Sequence, residues 1–393
     1  MSTGDHDTTP FGGVRDRDAG SASLVERFRR HADALVHAGR SPLYVELMRG
    51  AAVDLHRGGV VRELFDGIPA PPGTVPALRL LATLHRLVLE GRAPELASHY
   101  PSVGGTRPPA GAWPRAAASL RERFDEVRER VTLTVQTNEP GRAAVLYGAL
   151  LWLGERHDLP VRLLEIGASG GLNLLADRFA YRVDGALLGD VASSLIFDEP
   201  WEGRPVPDPS ATARALRIAR RSGCDLAPLD FASAEDRLTL RSYIWADELD
   251  RLGRADAALE VATRHQPPVA AFAAECWLPR VLAAPRAGEL TVIWQSVVRQ
   301  YVPLEAWAAI EQAVEEAARA ATPDTPLTWL TMEPGEHPLA GFVLSATTWP
   351  GGASHRLADA ADHGPPVRWH PQRNTCRQDL RRAALLPAEI SGR

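Results

Sequence analysis

"RLLEIGASGGLNLLADRF", residues 162–179, decides how the rest of the chain is read. Arg162–Ile166 is a short apolar run that carries a carboxylate, Glu165, near its end. Gly167-Ala168-Ser169-Gly170-Gly171 follows, and then a helical pattern. That order predicts strand, tight loop and helix. Such a junction aims backbone N–H groups and the positive end of a helix dipole at whatever lies above the loop. The same five residues satisfy G-x-S-x-G, the pattern that presents a serine nucleophile on a sharp strand-to-helix turn.

Outward from this stretch, toward the C-terminus, strands alternate with helices. Strands are predicted at residues 162–166, 180–183, 224–229, 290–294, 327–332, 341–347 and 367–370, and helices near 208–222, 235–264, 268–284 and 303–321. The alternation implies an α/β fold, with a doubly wound, mostly parallel sheet covered on both faces over residues 159–372. Between the last two strands "WPGGASHRLADAADHGPP" has no helix-length pattern, so the sheet is expected to close with an antiparallel hairpin. Residues 21–158 read as helices, near 24–36, 42–51, 75–90, 115–130 and 140–156, with one extended piece at Val131–Val135. Ser41 before Pro42 reads as an N-cap. Residues 1–20 lack periodicity and read as a disordered arm, and 373–393 as a tail with a short surface helix and a frayed end.

The composition narrows the function. With 393 residues, 45% hydrophobic, and a formal charge of −5, the chain can bury a large core and has no basic run suited to nucleic acid or to an anionic membrane. No apolar run approaches the ~18 residues of a membrane span, and the N-terminus lacks a signal-peptide layout, which gives a cytoplasmic expectation. Cys224, Cys276 and Cys376 are widely spaced and imply neither a disulfide framework nor a zinc knuckle. All 44 basic residues are arginine. A chain without lysine has no Walker A lysine, no Schiff base and no kinase-type strand lysine.

Three readings of the glycine loop compete. A nucleophile elbow needs Ser169 to be followed by an acid and a histidine, for which Glu333 with His355 or His363 stand available; the long helical stretch upstream argues against it. A dinucleotide fingerprint needs glycine where Ser169 stands. The third reading includes Glu165. The stretch from Glu165 to Gly171 is similar to the opening of class I S-adenosylmethionine-dependent methyltransferases, in which a strand runs into an acidic residue and then glycines. That resemblance implies S-adenosylmethionine as cofactor, held by Glu165, Gly167, Ser169, Gly170, Gly171 and Asn173, with Asp184 as the acidic residue for the ribose hydroxyls. Asp184-Gly185 reads equally as a hairpin turn.

Taken together, "SPLYVELMRGAAVDL", "QTNEPGRAAVLYGAL", "LLEIGASGGLNLLADRF", "RSYIWADELDRLGRADAAL", "LTVIWQSVVRQYV" and "HGPPVRW" resemble the bacterial domain of unknown function 2332 family over roughly residues 24 to 370. This family resemblance implies a fold and no reaction.

The remaining candidates stand where an open α/β sheet places its site, beyond the carboxyl ends of the strands. Asp225 and Asp230 flank the third predicted strand, Gln295 and Ser296 follow "LTVIW", and Glu333 follows "WLTM". Of these, Asp230 and Gln295 are taken with the cofactor group, and Glu333 and His363 as catalytic candidates. Asn138, Glu139 and Arg142, crowded before a helix, are candidates for binding a small-molecule substrate, although capping explains part of their pattern. No histidine pair has metal-ligand spacing on a helix. The expected function is methyl transfer to a small molecule. The alternative is a non-catalytic member of the fold that binds a nucleotide-like metabolite or a protein partner.

Overall fold

The computed structural model describes residues 23–69, 74–335 and 341–371. The expectations for the N-terminal arm and the C-terminal tail lie outside these residues.

The helices α1 (Leu24–His37), α2 (Pro42–Arg57), α3 (Val60–Phe65), α4 (Pro76–Leu89), α5 (Pro94–Ala97), α6 (Ala112–Glu122), α7 (Phe124–Arg130) and α8 (Arg142–Gly154) precede the first strand. α1 starts on a capping box between Ser23 and Glu26. Ser41 makes no cap: it is left-handed at φ 46, and its hydroxyl donates to Asp247 instead. Val131–Val135 forms no strand. α1 to α7 enclose one core, built on Phe28, Leu47, Leu81, Leu84 and Leu120. Trp245 and Ala246, from far along the chain, complete it. α8 is buried nearly all round and belongs to the core of the sheet instead.

The strands are β1 (Val161–Ile166), β2 (Ala180–Val183), β3 (Ala186–Gly189), β4 (Ile196–Asp198), β5 (Trp201–Glu202), β6 (Ile218–Asp225), β7 (Val269–Ala271), β8 (Leu290–Ser296), β9 (Leu327–Pro334), β10 (Phe342–Trp349), β11 (Ala353–Ala361) and β12 (Gly364–Trp369). Nine of them form one sheet in the order β5-β12-β11-β10-β9-β8-β1-β6-β7. β7, β6, β1, β8 and β9 are parallel, and β9 to β12 form an antiparallel meander. β2, β3 and β4 make a separate small sheet. The helices α9 (Pro209–Ala215), α10 (Ala234–Ser242), α11 (Leu249–His265), α12 (Ala274–Leu282) and α13 (Leu304–Ala320) lie between strands.

β1 is the central strand of the parallel block, and all six of its residues are buried. Its side chains alternate. Val161 and Leu163 join the core with α8, and Leu164 and Ile166 join the core with α12 and α13. Glu165 shares the face of Leu163 and so lies toward α8.

Several expected elements differ. Residues 218–222, expected in a helix, belong to β6, and the long helix of 235–264 is two helices broken at Tyr243–Glu248. The span expected as one helix at 268–284 is β7 and then α12. The "WPGGASHRLADAADHGPP" segment contains β11, so the antiparallel end is a meander rather than a single hairpin. Cys276 is exposed, whereas Cys224 is buried.

Candidate functional site

Glu165 is 1% exposed, and its Oε1 accepts from Asn173 Nδ2 at 3.2 Å. Glu165 Oε2 and Asn173 Oδ1 are buried without a hydrogen-bond partner. Burial pushes the Glu165 carboxyl up to about 8, against the Asn173 bond and the nearby charge of Arg142, so it is mainly neutral at pH 7.

Above it the loop is held by neighbours. Gly167 is exposed at φ 68, and a β-carbon on Gly170 would stand 2.0 Å from the Phe231 ring, so only glycine lets that ring close down. Gly171 lies against Pro267 and Val269. Ser169 is left-handed at φ 51; its N–H donates to Asp225 Oδ2 at 2.9 Å and its hydroxyl donates to Gln136 Oε1. The helix expected after the loop is a six-residue 3-10 segment, Asn173–Arg178, kinked at Leu175. It has no α-helical dipole to offer a ligand.

Beside the loop, between the helical region and the carboxyl end of the sheet, a narrow, partly open cleft is lined by Gln136 to Glu139, Arg142, Tyr243, Trp245, Arg251, Val297, Tyr301 and His363. Asn138 ties it to the loop, because its Oδ1 accepts from Leu172 N–H at 2.9 Å. The cleft lies by the switch point of the parallel block, where the next parallel strand after β1, β6, and the next after β8, β9, are on opposite sides. Val297 is left-handed at φ 57, a strained state for a β-branched residue and one that marks functional loops.

A charged cluster backs the cleft. Glu139 is buried between Arg251 at 2.8 Å and Arg254 at 3.6 Å, and also accepts from Gly141 N–H at 3.0 Å. Burial raises its carboxyl, but the two arginines and these bonds outweigh that and hold it below its ordinary range. Arg40 pairs with Glu248 at 2.5 Å and Asp362 at 3.1 Å, and reaches His363 Nδ1 at 3.0 Å. Asp362 Oδ1 lies 3.3 Å from the same nitrogen. A guanidinium only donates, so Nδ1 accepts from it and the proton sits on Nε2. Burial, with Arg251, Arg40, Arg142 and Arg254, lowers this histidine well below its usual value. His363 is therefore a neutral donor, not the free base expected of a catalytic histidine.

The other expected residues are placed as follows. Asp184 occupies the β2–β3 turn at φ 49, exposed and paired with Arg204 at 2.6 Å. The ribose role proposed for it gives way to the turn, since it lies in the separate small sheet. The carboxylate brought to the loop is Asp225, at the end of β6. Asp230 is in an exposed turn before α10, where it accepts from Ala232 N–H at 2.9 Å. Gln295 is buried and bonded to Glu333 at 3.0 Å and to Trp329 at 3.1 Å. Glu333 Oε1 also accepts from Val298 and Arg299 N–H at 3.3 Å, so it sets the loop after β8; burial raises it to about 6. It does not line the cleft. His355 stands on β11 against Trp152, 5.2 Å between rings, and neither it nor His363 bonds Ser169, so no serine–histidine pair forms. The cleft residues absent from the expected set include Gln136, Tyr243, Trp245, Arg251, Val297 and Tyr301. Tyr243 and Trp245 have a visible signal, the aromatic "RSYIWADELD" between two helical patterns.

Among the described residues no group of three potential metal ligands occurs, and no helix is long and apolar enough to cross a membrane. A comparison with curated proteins finds no match. The family described as "uncharacterized protein conserved in bacteria (DUF2332)" matches residues 25–369. The glycine loop, the central sheet and the cleft all fall inside that span, and the chain belongs to this family.

Proposed function

We propose that the protein is an S-adenosylmethionine-dependent methyltransferase whose cofactor lies over the glycine loop and whose acceptor, a small molecule, enters the adjoining cleft. What supports this reading is the parallel block β7-β6-β1-β8-β9, whose order is similar to that of the class I type and which sets the loop beside the cleft.

The residues around the loop suit such a cofactor. Gly167 is exposed, and Asp225 keeps lone pairs beyond its bonds to Ser169 and Ala227 N–H. Asn173 Oδ1 is a buried acceptor without a donor, and neutral Glu165 carries its proton on Oε2, the oxygen that Asn173 does not bond. Gly170 and Gly171 are buried beneath Phe231 and Pro267, whereas Gly167, with Val298 on its β-carbon side, keeps its backbone exposed, so the holding residues are Gly167, Asp225, Asn173 and Glu165. When bound, the cofactor supplies an electrophilic methyl group on a sulfonium. The chain's own share is alignment of the acceptor and exclusion of water. His363 has its Nδ1 lone pair occupied and Glu333 stands outside the cleft. The arrangement therefore suits an acceptor that is nucleophilic without loss of a proton.

Thermal denaturation with S-adenosylmethionine or S-adenosylhomocysteine tests this. Ligand at 100 times its dissociation constant is expected to add about 2.7 kcal/mol. No shift at millimolar ligand, with folded protein, rejects it. The filled positions over Gly170 and Gly171 favour a second reading, a non-catalytic binder of a nucleotide-like metabolite or a protein partner. Stabilisation by adenosine nucleotides but not by either sulfur compound would support that one.

A further inference from the structure

Arg142 enters the cleft from the first turn of α8 and is 8% exposed. Its Nε donates to the Asp362 carbonyl at 3.2 Å and its Nη1 to the Ser296 carbonyl at 3.4 Å, which fixes the guanidinium between the β11–β12 turn and the end of β8. These bonds use two of its five N–H donors. Among the described residues it makes no ion pair. The neighbouring carboxylates are engaged elsewhere: Glu139 with Arg251 and Arg254, Glu248 with Arg40 and Arg251, Asp362 with Arg40. A buried cation without a counter-ion is costly, and this one stands in the wall of an open cleft.

The rest of the lining agrees in sign and shape. His363 is a neutral donor, and Tyr301 adds a hydroxyl. Glu139, the only carboxylate in the lining, is neutralised by its two arginines. Leu78, Leu240, Tyr243, Ile244, Trp245 and Val297 supply apolar surface. We infer that the cleft takes a small molecule with an apolar or aromatic body and one anionic group, a carboxylate or a phosphate, seated on Arg142. This deepens the acceptor half of the reading above and rests on it for the acceptor's role. The anion also answers the want of a free base, because an ionised oxygen has no proton to lose.

Calorimetry of the full chain without S-adenosylmethionine tests it, with benzoate, phenyl phosphate, benzyl alcohol and benzylamine as probes. Benzoate or phenyl phosphate is expected to bind, and the tighter of the two names the anion. The alcohol and the amine are expected to bind at least about tenfold more weakly, the scale of one charge-assisted hydrogen bond. Arg142→Gln should weaken the anion by about 10- to 100-fold. If that variant does not fold, crystals of the unaltered protein with 4-iodobenzoate decide, since the iodine locates the probe and the carboxylate must lie within hydrogen-bond reach of Arg142. Equal binding of alcohol and acid, no binding of either anion at 10 mM, or a probe seated elsewhere overturns the inference. Anion binding together with no response to S-adenosylmethionine rejects methyl transfer and leaves the anion site standing; the reverse result rejects the anion site alone.

Discussion

Val298 lies so close to Gly167 that a β-carbon on the glycine would stand 2.5 Å from Val298 Cγ2. Val298 is held there from the far side by its N–H bond to Glu333 Oε1 at 3.3 Å. Gly167→Ala is therefore expected to cost about 1–2 kcal/mol for its left-handed backbone, with a further cost for the contact. In a Val298→Ala background only the backbone cost remains. A double-mutant cycle by urea unfolding should show a coupling of at least about 0.5 kcal/mol, and additive costs would mean that the two side chains do not meet.

Glu165 should make the fold weaker as pH rises. Its folded value of about 8 lies above the ordinary 4.5, so the native state holds the proton more tightly than the unfolded chain. The associated stability is complete below about 4.5 and is lost as pH climbs through 8, a total on the order of 4–5 kcal/mol. Glu165→Gln keeps the shape without the charge. Its advantage over the parent should grow from pH 5 to pH 8.5 in denaturant titrations; parallel curves would exclude a neutral Glu165.

Histidines should act in the opposite direction, on the acid side. Burial lowers His85 to about 4, against its bonds to backbone oxygens, and burial with four arginines holds His363 well below its usual value. The unfolded chain then takes up protons first as pH falls. Stability tied to the neutral rings is complete above about 6.5 and is lost as pH falls toward 4, with about 3 kcal/mol attached to His85. Ring chemical shifts should report both as unprotonated at pH 5.5, and titration near 6.5 would contradict the burial.

Ser169→Ala should cost stability rather than chemistry. It leaves Gln136 Oε1 without its donor, and an orphaned buried acceptor costs about 1–3 kcal/mol. A serine-directed phosphonate should not label the protein. Labelling that Ser169→Ala abolishes would restore the hydrolase reading.

How much of this was legible in sequence depended on whether burial followed residue type. Leu163, Leu164 and Ile166 read as a buried strand because both faces of β1 are covered, and Glu165 stood out against them. Only the end of β6 read as strand, the first part as helix: Arg220 and Arg221 fall there, served by Glu289 at 3.1 Å and Asp177 at 2.7 Å, so tertiary ion pairs replace the expected alternation. β11 is rich in alanine and lacks β-branched residues, and it carries a register shift opposite Leu344 and Ser345. Asn138, Glu139 and Arg142 were found because they crowd before a helix. Arg251 and Tyr301 were not, since only the folded chain brings the α11 start and the loop after β8 to the same cleft.

Trp245 and Ala246, set in the core of α1 to α7, impose an order on the birth of the molecule. The N-terminal helices leave the ribosome first, yet their core lacks a large aromatic plug until the chain has been made past β6. Until then the apolar surface around Tyr44, whose ring will lie tilted against that of Trp245 with centroids 4.1 Å apart, stands open. A nascent chain halted before residue 245 should engage chaperones that recognise exposed apolar surface, and one extended past α11 should release them.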